Sequence, residues 1–212
     1  NDYIQCLHSG PTGNPNISLS FWLKTQSSSY GHLIGYGNDA VSGQDLRVLI
    51  NGNCSNSIAF DTYDNQKAKV TSFNNSWDYY VIMYNGSLGN NTSVVSIYKN
   101  GILLSTECLN VNISPTNISS LVPIRFGRYH GNAQTGFFNG TLDDICLFNR
   151  ILSNSEIQQL YTLGQTTYLW STGATTSTIN VSPTTTTNYT CTVTTNGVSC
   201  TDTVTEIGRA HV

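Results

Sequence analysis

The chain has 212 residues and a net charge of -3, with few charged side chains and an abundance of Asn, Ser, Thr and Gly. Such a length holds one full sandwich-sized domain and something smaller beside it. A slightly acidic balance offers no basic field for nucleic acid, and no apolar run approaches the roughly 18 residues of a membrane span. The composition suits an extracellular all-β protein rich in turns. Six cysteines, none in a CxxC pair, argue against a zinc site and for disulfides formed in an oxidising compartment.

Residues 3–6 read as a short opening strand, ended by Gly10, Pro11 and Gly13. Ile17, Leu19, Phe21 and Leu23 then alternate with Ser18, Ser20, Trp22 and Lys24, which predicts a strand with one wet face. A strand begins at His32, another spans 46–50, and Asn51-Gly52 predicts a hairpin returning through Ile58, Ala59 and Phe60. Between Trp77 and Tyr84 both alternating sets are largely apolar, so this strand is expected at the centre of a sheet, covered on each side. Residues 94–98 and 102–104 flank Asn100-Gly101 as a second hairpin, and residues 122–127 give one more strand.

The segment 137–161 closes this series. Leu142 leads an apolar set that Ile145 and Leu147 resume one residue out of alternation, which predicts a bulge at Asp143-Asp144. Asn149-Arg150 turn the chain, and Ser153 with Glu156 three places on forms a capping-box signature. Ile157, Leu160 and Tyr161 fall at helical spacing, giving a short amphipathic helix able to plug an apolar opening.

After Gly164 the texture changes to Thr and Ser with spaced Tyr, Val and Ile and almost no charge. Cys191 and Cys200 flank Thr195-Asn196-Gly197, placed to face each other across a hairpin; the other four cysteines allow three pairings, or stay as buried thiols. The absence of an initiating Met and of a signal-peptide pattern gives the reading of an internal fragment. Residues 207–212 match a translated sequencing adapter and are set aside as a scar.

Gly140, Asp143, Asp144, Ile145, Phe148, Asn149, Arg150, Leu152, Ser153, Glu156, Ile157 and Tyr161 carry a resemblance to the closing signature of LamG-like domains, concanavalin A-like jelly rolls of bacterial surface proteins. Earlier landmarks come in the matching order: Phe21-Trp22-Leu23-Lys24, Trp77 to Gly86, Ile97-Tyr98-Lys99-Asn100-Gly101 and Pro123-Ile124-Arg125-Phe126-Gly127. The fold class expected is therefore all-β: a two-sheet antiparallel jelly-roll sandwich over residues 1–164 with one short C-terminal helix. Residues 165–206, through Trp170, Ile179 and Tyr189, resemble part of an Ig-like module of Bacteroidota adhesins. The resemblance makes the first and last strands neighbours, implying Cys6 bonded to Cys146, which leaves Cys54 with Cys108.

The fold hosts binders, spacers and enzymes alike, so function must come from a site. Retaining glycosidases need two carboxylates about 5 Å apart. Here Glu107, Glu156 and Glu206 are isolated, and His8, His32 and His130 sit in no nucleophile motif, so a non-catalytic module is expected. A structural calcium ion is expected from the resemblance at Asp143 and Asp144, completed by carbonyls near the N-terminus. Glycan binding needs aromatic faces beside amides and carboxylates on loops. Three clusters qualify: Tyr36 with Asn38 and Asp39, Tyr63 with Asp64 and Asn65, and Tyr129 with His130 and Asn132. The expected role is adhesion or carbohydrate binding at a bacterial cell surface or outside the cell, with neighbouring domains as further partners. A ligand-free spacer, or an accessory domain of a polysaccharide-degrading enzyme, is the alternative.

Overall fold

A computed structural model describes residues 2–62, 66–89, 94–110, 116–131, 133, 135–163, 165–195 and 198–208. The chain divides into two compact units, Asn1–Asn154 and Ser155–Val212. Among the described residues the first unit holds twelve strands. In chain order they are β1 (Ile4–Gln5), β2 (Asn16–Lys24), β3 (Gly31–Gly37), β4 (Asp45–Ile50), β5 (Ser57–Asp61) and β6 (Gln66–Val70). There follow β7 (Trp77–Asn85), β8 (Val95–Lys99), β9 (Ile102–Leu103), β10 (Glu107–Asn110), β11 (Arg125–Phe126) and β12 (Thr141–Phe148). They form a seven-stranded sheet, β1-β11-β3-β4-β5-β6-β10, and a five-stranded sheet, β12-β2-β7-β8-β9, antiparallel throughout.

This is the jelly-roll sandwich that the resemblance implies, built on strands that the alternation in the sequence predicts. Its core draws one face from each sheet: Ile17, Leu19, Phe21 and Leu23 of β2 meet Ile34, Tyr36, Val48, Ile50 and Phe60. The Phe60 and Tyr84 rings stack across the interior with centroids 5.1 Å apart. β7 lies between β2 and β8 and its residues 78–84 are all buried, as its two apolar faces require. Asn100 (φ 52°) and Gly101 (φ 78°) turn the β8–β9 hairpin with both central residues left-handed, the geometry that Asn-Gly accepts most readily.

In β12 the pairing with β2 shifts between Asp143, opposite Trp22, and Cys146, opposite Ser20. Three steps on one strand thus match two on the other. Asp144 absorbs the extra residue at φ 47°, so the bulge expected at Asp143-Asp144 is present.

Two sequence expectations are corrected. The first and last strands are not hydrogen-bonded neighbours: β1 pairs with β11 in the seven-stranded sheet, whereas β12 pairs with β2 in the other. They occupy edges of opposite sheets, and Cys6 and Cys146 accordingly remain free thiols. Cys54 and Cys108 do form a disulfide.

Two strands were also not evident in the sequence. β6 carries Lys67 and Lys69 opposite the core residues Phe60 and Ile58, so its inward positions are charged. Both lysines are nevertheless buried, and their ammonium groups reach Glu107 Oε1 of β10 at 3.4 and 2.6 Å. The long methylene stems cover apolar surface while the heads meet a carboxylate at the sheet edge.

The second unit contains most of helix α1 (Asn154–Leu163) and a three-stranded antiparallel sheet, β13 (Thr166–Trp170), β14 (Thr187–Thr195) and β15 (Val198–Glu206). Ser153 stands immediately before the helix, Glu156 lies in its first turn, Ile157 is fully buried and Leu160 and Tyr161 are half-buried. Residues 179–183, in the stretch that carries the Ig-like resemblance, form no strand. Cys191 lies opposite Asp202 and Cys200 opposite Val193, so the expected cross-strand pair is offset by two residues and both thiols are free.

Candidate functional site

The outward face of the seven-stranded sheet carries a layered polar cluster. Pairing fixes which residues share it: Arg47 of β4 lies opposite Gly35 of β3 and Asp61 of β5, while Val48 and Phe60 turn to the core. Arg47 Nε meets Asp45 Oδ2 at 2.9 Å, and Arg47 Nη2 meets Asp61 Oδ1 at 2.9 Å. His130 Nε2 lies 3.4 Å from the same Asp45 oxygen, and both side chains are wholly buried. The His130 ring sits on Gly35, where a Cβ would come within 2.6 Å of Nδ1. A glycine at this point in the strand is what admits the imidazole.

His130 arrives on the segment after β11, which folds back across β3. Tyr129 N–H donates to Thr135 O, His32 N–H to Gly136 O, and Phe138 N–H to Gly127 O. Arg125 of β11 secures the tip by donating to the carbonyls of His130 and Gly131, and its Nε donates to Gln5 Oε1 at 2.8 Å. This segment brings Tyr129 to the loop after β3, where its hydroxyl donates to Asp39 Oδ2 at 3.0 Å.

Four rings then run in sequence over the sheet. The centroid of Tyr30 is 5.0 Å from that of His32, His32 is 5.1 Å from Tyr129, and Tyr129 is 5.3 Å from His130. The Tyr30 hydroxyl also hydrogen-bonds His32 Nε2. Tyr30 is 46% exposed, and Tyr129 and Asp39 are half-buried, so two phenol rings and a carboxylate face solvent above a sealed ionic layer. Burial, reinforced by hydrogen bonding to Asp39, raises the Tyr129 phenol above its usual range, and burial likewise raises Tyr30; both stay neutral donors at physiological pH.

Burial, with the Arg47 guanidinium and then His130 adding to it, pulls His32 down to about 3 from 6.5. The unfolded chain therefore takes up a proton that the native state refuses, and the resulting stability is whole above pH 6.5 and falls as pH drops toward 3. Glu107, held low chiefly by its hydrogen bond from Lys69, acts in the same direction. A urea midpoint that declines from pH 6.5 downward, with a shallower decline in His32→Gln, is the expected result; parallel curves for the two proteins would contradict it.

The residues singled out from the sequence separate as follows. Asp39, Tyr129 and His130, from two clusters, converge. Tyr36 is a core residue, 1% exposed, with its hydroxyl donating to Pro11 O, so its ring cannot meet a ligand. Asn38 braces its own loop, donating to Gln44 Oε1 and accepting from Ala40 N–H. Tyr63, Asp64, Asn65 and Asn132 lie outside the described residues. Tyr30, His32, Asp45, Arg47 and Asp61 were not anticipated; alternation places Arg47 and Asp61 on one sheet face, but no local signal marks them as partners.

Asp143 and Asp144, where a structural ion is expected, stand at the β12 bulge. Asp143 shares the outward face of the five-stranded sheet with Trp22 and Tyr79, and its Oδ1 accepts the Asp144 N–H. Asp2, Tyr3 and Ile4 instead border a cleft with Leu142 and Ile145, which turn toward the core. Among the described residues no group of three or more His, Cys, Asp or Glu side chains is gathered for a metal.

A family model described as the concanavalin A-like lectin/glucanases superfamily matches residues 1–158. No curated protein matches the chain. Among solved structures, a native heptameric SAP-like pentraxin from Limulus polyphemus aligns with a TM-score of 0.57 at 12% identity, covering 76% of each chain. The CBM40 of the Ruminococcus gnavus IT-sialidase, bound to α2,3 sialyllactose, aligns with a TM-score of 0.52 at 11% identity over 76% of this chain and 96% of that one. The same module bound to α2,6 sialyllactose aligns with a TM-score of 0.51. At these identities the likeness is one of fold.

Proposed function

Since the chain belongs to the concanavalin A-like lectin/glucanases superfamily, we propose that it is a non-catalytic glycan-binding module and that the Tyr30–Asp39–Tyr129 platform is its site. The observation that carries this reading is the Tyr129–Asp39 hydrogen bond, which joins residues 90 apart in sequence into one half-exposed surface. Sugars present C–H faces to rings and hydroxyls to carboxylates, and the platform offers both on a braced sheet. The carboxylates beneath it, Asp45 and Asp61, are buried against Arg47 and out of reach of a glycosidic bond.

The role is adhesion or glycan capture by a secreted or surface-displayed protein with further domains, of which the Thr-rich sheet β13–β15 is part of an Ig-like repeat. On a glycan array the wild-type protein is expected to bind a defined subset of sugars. Tyr129→Ala should lower affinity for them at least about tenfold, which corresponds to the ~1.4 kcal/mol expected of one lost ring contact. An array without binders would overturn this reading in favour of a spacer.

The structural calcium at Asp143 and Asp144 rests on the bulge alone. An ion there would take most of its six to eight oxygens from backbone carbonyls and water. Chelator is then expected to lower the melting temperature of the wild type and not of Asp143→Ala; a wild type indifferent to chelator removes the ion.

A further inference from the structure

The opposite side of the sandwich carries a second, separately built cleft. Register places Trp77, Lys24 and Thr141 side by side on β7, β2 and β12, with Tyr79, Trp22 and Asp143 as the next row on the same outward face. The inner row is packed: the Trp22 and Tyr79 rings are 5.2 Å apart and Tyr79 is buried. Trp77 in the outer row is 41% exposed and offers its indole to solvent.

Beside Trp77 opens a cleft of about 500 Å³ bordered by Lys24, Gln26, Ser28, Asn75 and Asn139. Its walls are fixed by the fold. Thr25 Oγ1 donates to Asn139 O at 2.7 Å and Asn75 N–H donates to Thr25 O at 2.9 Å. Asn51 Nδ2 donates to the carbonyls of Ser27 and Ser29 at 2.9 and 3.2 Å. A lining held this way loses little freedom when a ligand arrives.

Charge narrows the ligand. Lys24 is the one charged side chain among the residues bordering the cleft, and no ion pair among the described residues uses it. The other functional groups are amides and hydroxyls, which serve a polyol, and the exposed indole serves the C–H face of a pyranose. We infer that this cleft binds an acidic saccharide of the uronic-acid class, its sugar face on Trp77, its carboxylate on Lys24 Nζ and its hydroxyls on Gln26, Asn75 and Asn139. It is a second site, bordered by Trp77, Lys24 and Thr141 of the five-stranded sheet and by the segment 25–29.

The test is calorimetric titration of the whole chain with trigalacturonic acid and a hyaluronan hexasaccharide, set against neutral galactotriose. At least tenfold tighter binding of one acidic probe is expected, weakening as salt screens the Lys24 charge. Lys24→Gln should abolish the preference for acid, Trp77→Ala should cost at least tenfold, and Tyr129→Ala should change neither. Equal affinity for acidic and neutral probes, or a Trp77→Ala variant that binds as the wild type does, overturns the assignment. Loss of array binding in Tyr129→Ala with the acidic probes untouched would show the two sites to be independent.

Discussion

Arg47→Met is expected to destabilise the protein by about 3–5 kcal/mol, the range for removing one partner of a buried ion pair. Arg47 stands between two carboxylates at 2.9 Å on each side, and the Asp45 side chain is fully shielded from water. Methionine fills much of the same space, so packing is largely kept while Asp45 and Asp61 are left facing each other across an apolar group. Their charges then have to be neutralised or hydrated, and either route opens the loop that carries His130. Urea unfolding measures the loss directly. Adding Asp61→Leu to Arg47→Met should recover part of it, because the second change removes a stranded charge, and the double-mutant cycle gives the coupling. A loss under 1 kcal/mol for Arg47→Met alone would mean that the ionic layer contributes little to holding the sheet.

Breaking the Cys54–Cys108 bond should cost about 4 kcal/mol. The two cysteines are 54 residues apart in sequence, and the chain-entropy relation for a loop of that size gives this figure at 25 °C. The loop runs through β5 to β9 and into β10, and the bond ties the turn after β4 to β10 at the sheet edge. Cys54 also packs on the buried apolar residues Leu49, Ala59 and Ala68 of the outward face, so the bridge closes that face as well as the loop. Cys108→Ser should lower the urea midpoint by as much as reduction of the wild type does, and the reduced variant should lose nothing further. Insensitivity of the wild type to reductant would contradict the account.

Where side chains alternate cleanly, the strands could be read in advance. β2, β4, β7, β8 and β12 owe this to apolar residues at every second place, and the bulge in β12 to one slip in that rhythm. β6 and β10 escaped because Lys67 and Lys69 point where apolar residues are expected, and only Glu107, 38 residues beyond Lys69, explains why they can. The site shows the same division. Tyr129, His130 and Asp39 stood out as loop residues with the right chemistry, but their meeting depends on a fold-back over Gly35 that no local pattern announces. Tyr36 misled for the opposite reason: flanked by two glycines it resembles a loop tyrosine, yet its place in the β3 alternation sends the ring inward. Trp77 was assigned to a covered face, which its strand has from Asp78 to Tyr84 but not at this first residue.

The central claim is that a glycan meets the outward face of the seven-stranded sheet at Tyr30, Asp39 and Tyr129. Titrating isotope-labelled protein with the tightest array ligand and following amide and aromatic NMR shifts tests it most directly. The account predicts saturable shifts concentrated at Tyr30, His32, Asp39 and Tyr129, with the ring signals of Tyr129 moving most. Shifts that leave these four residues unmoved while the ligand saturates elsewhere would contradict it.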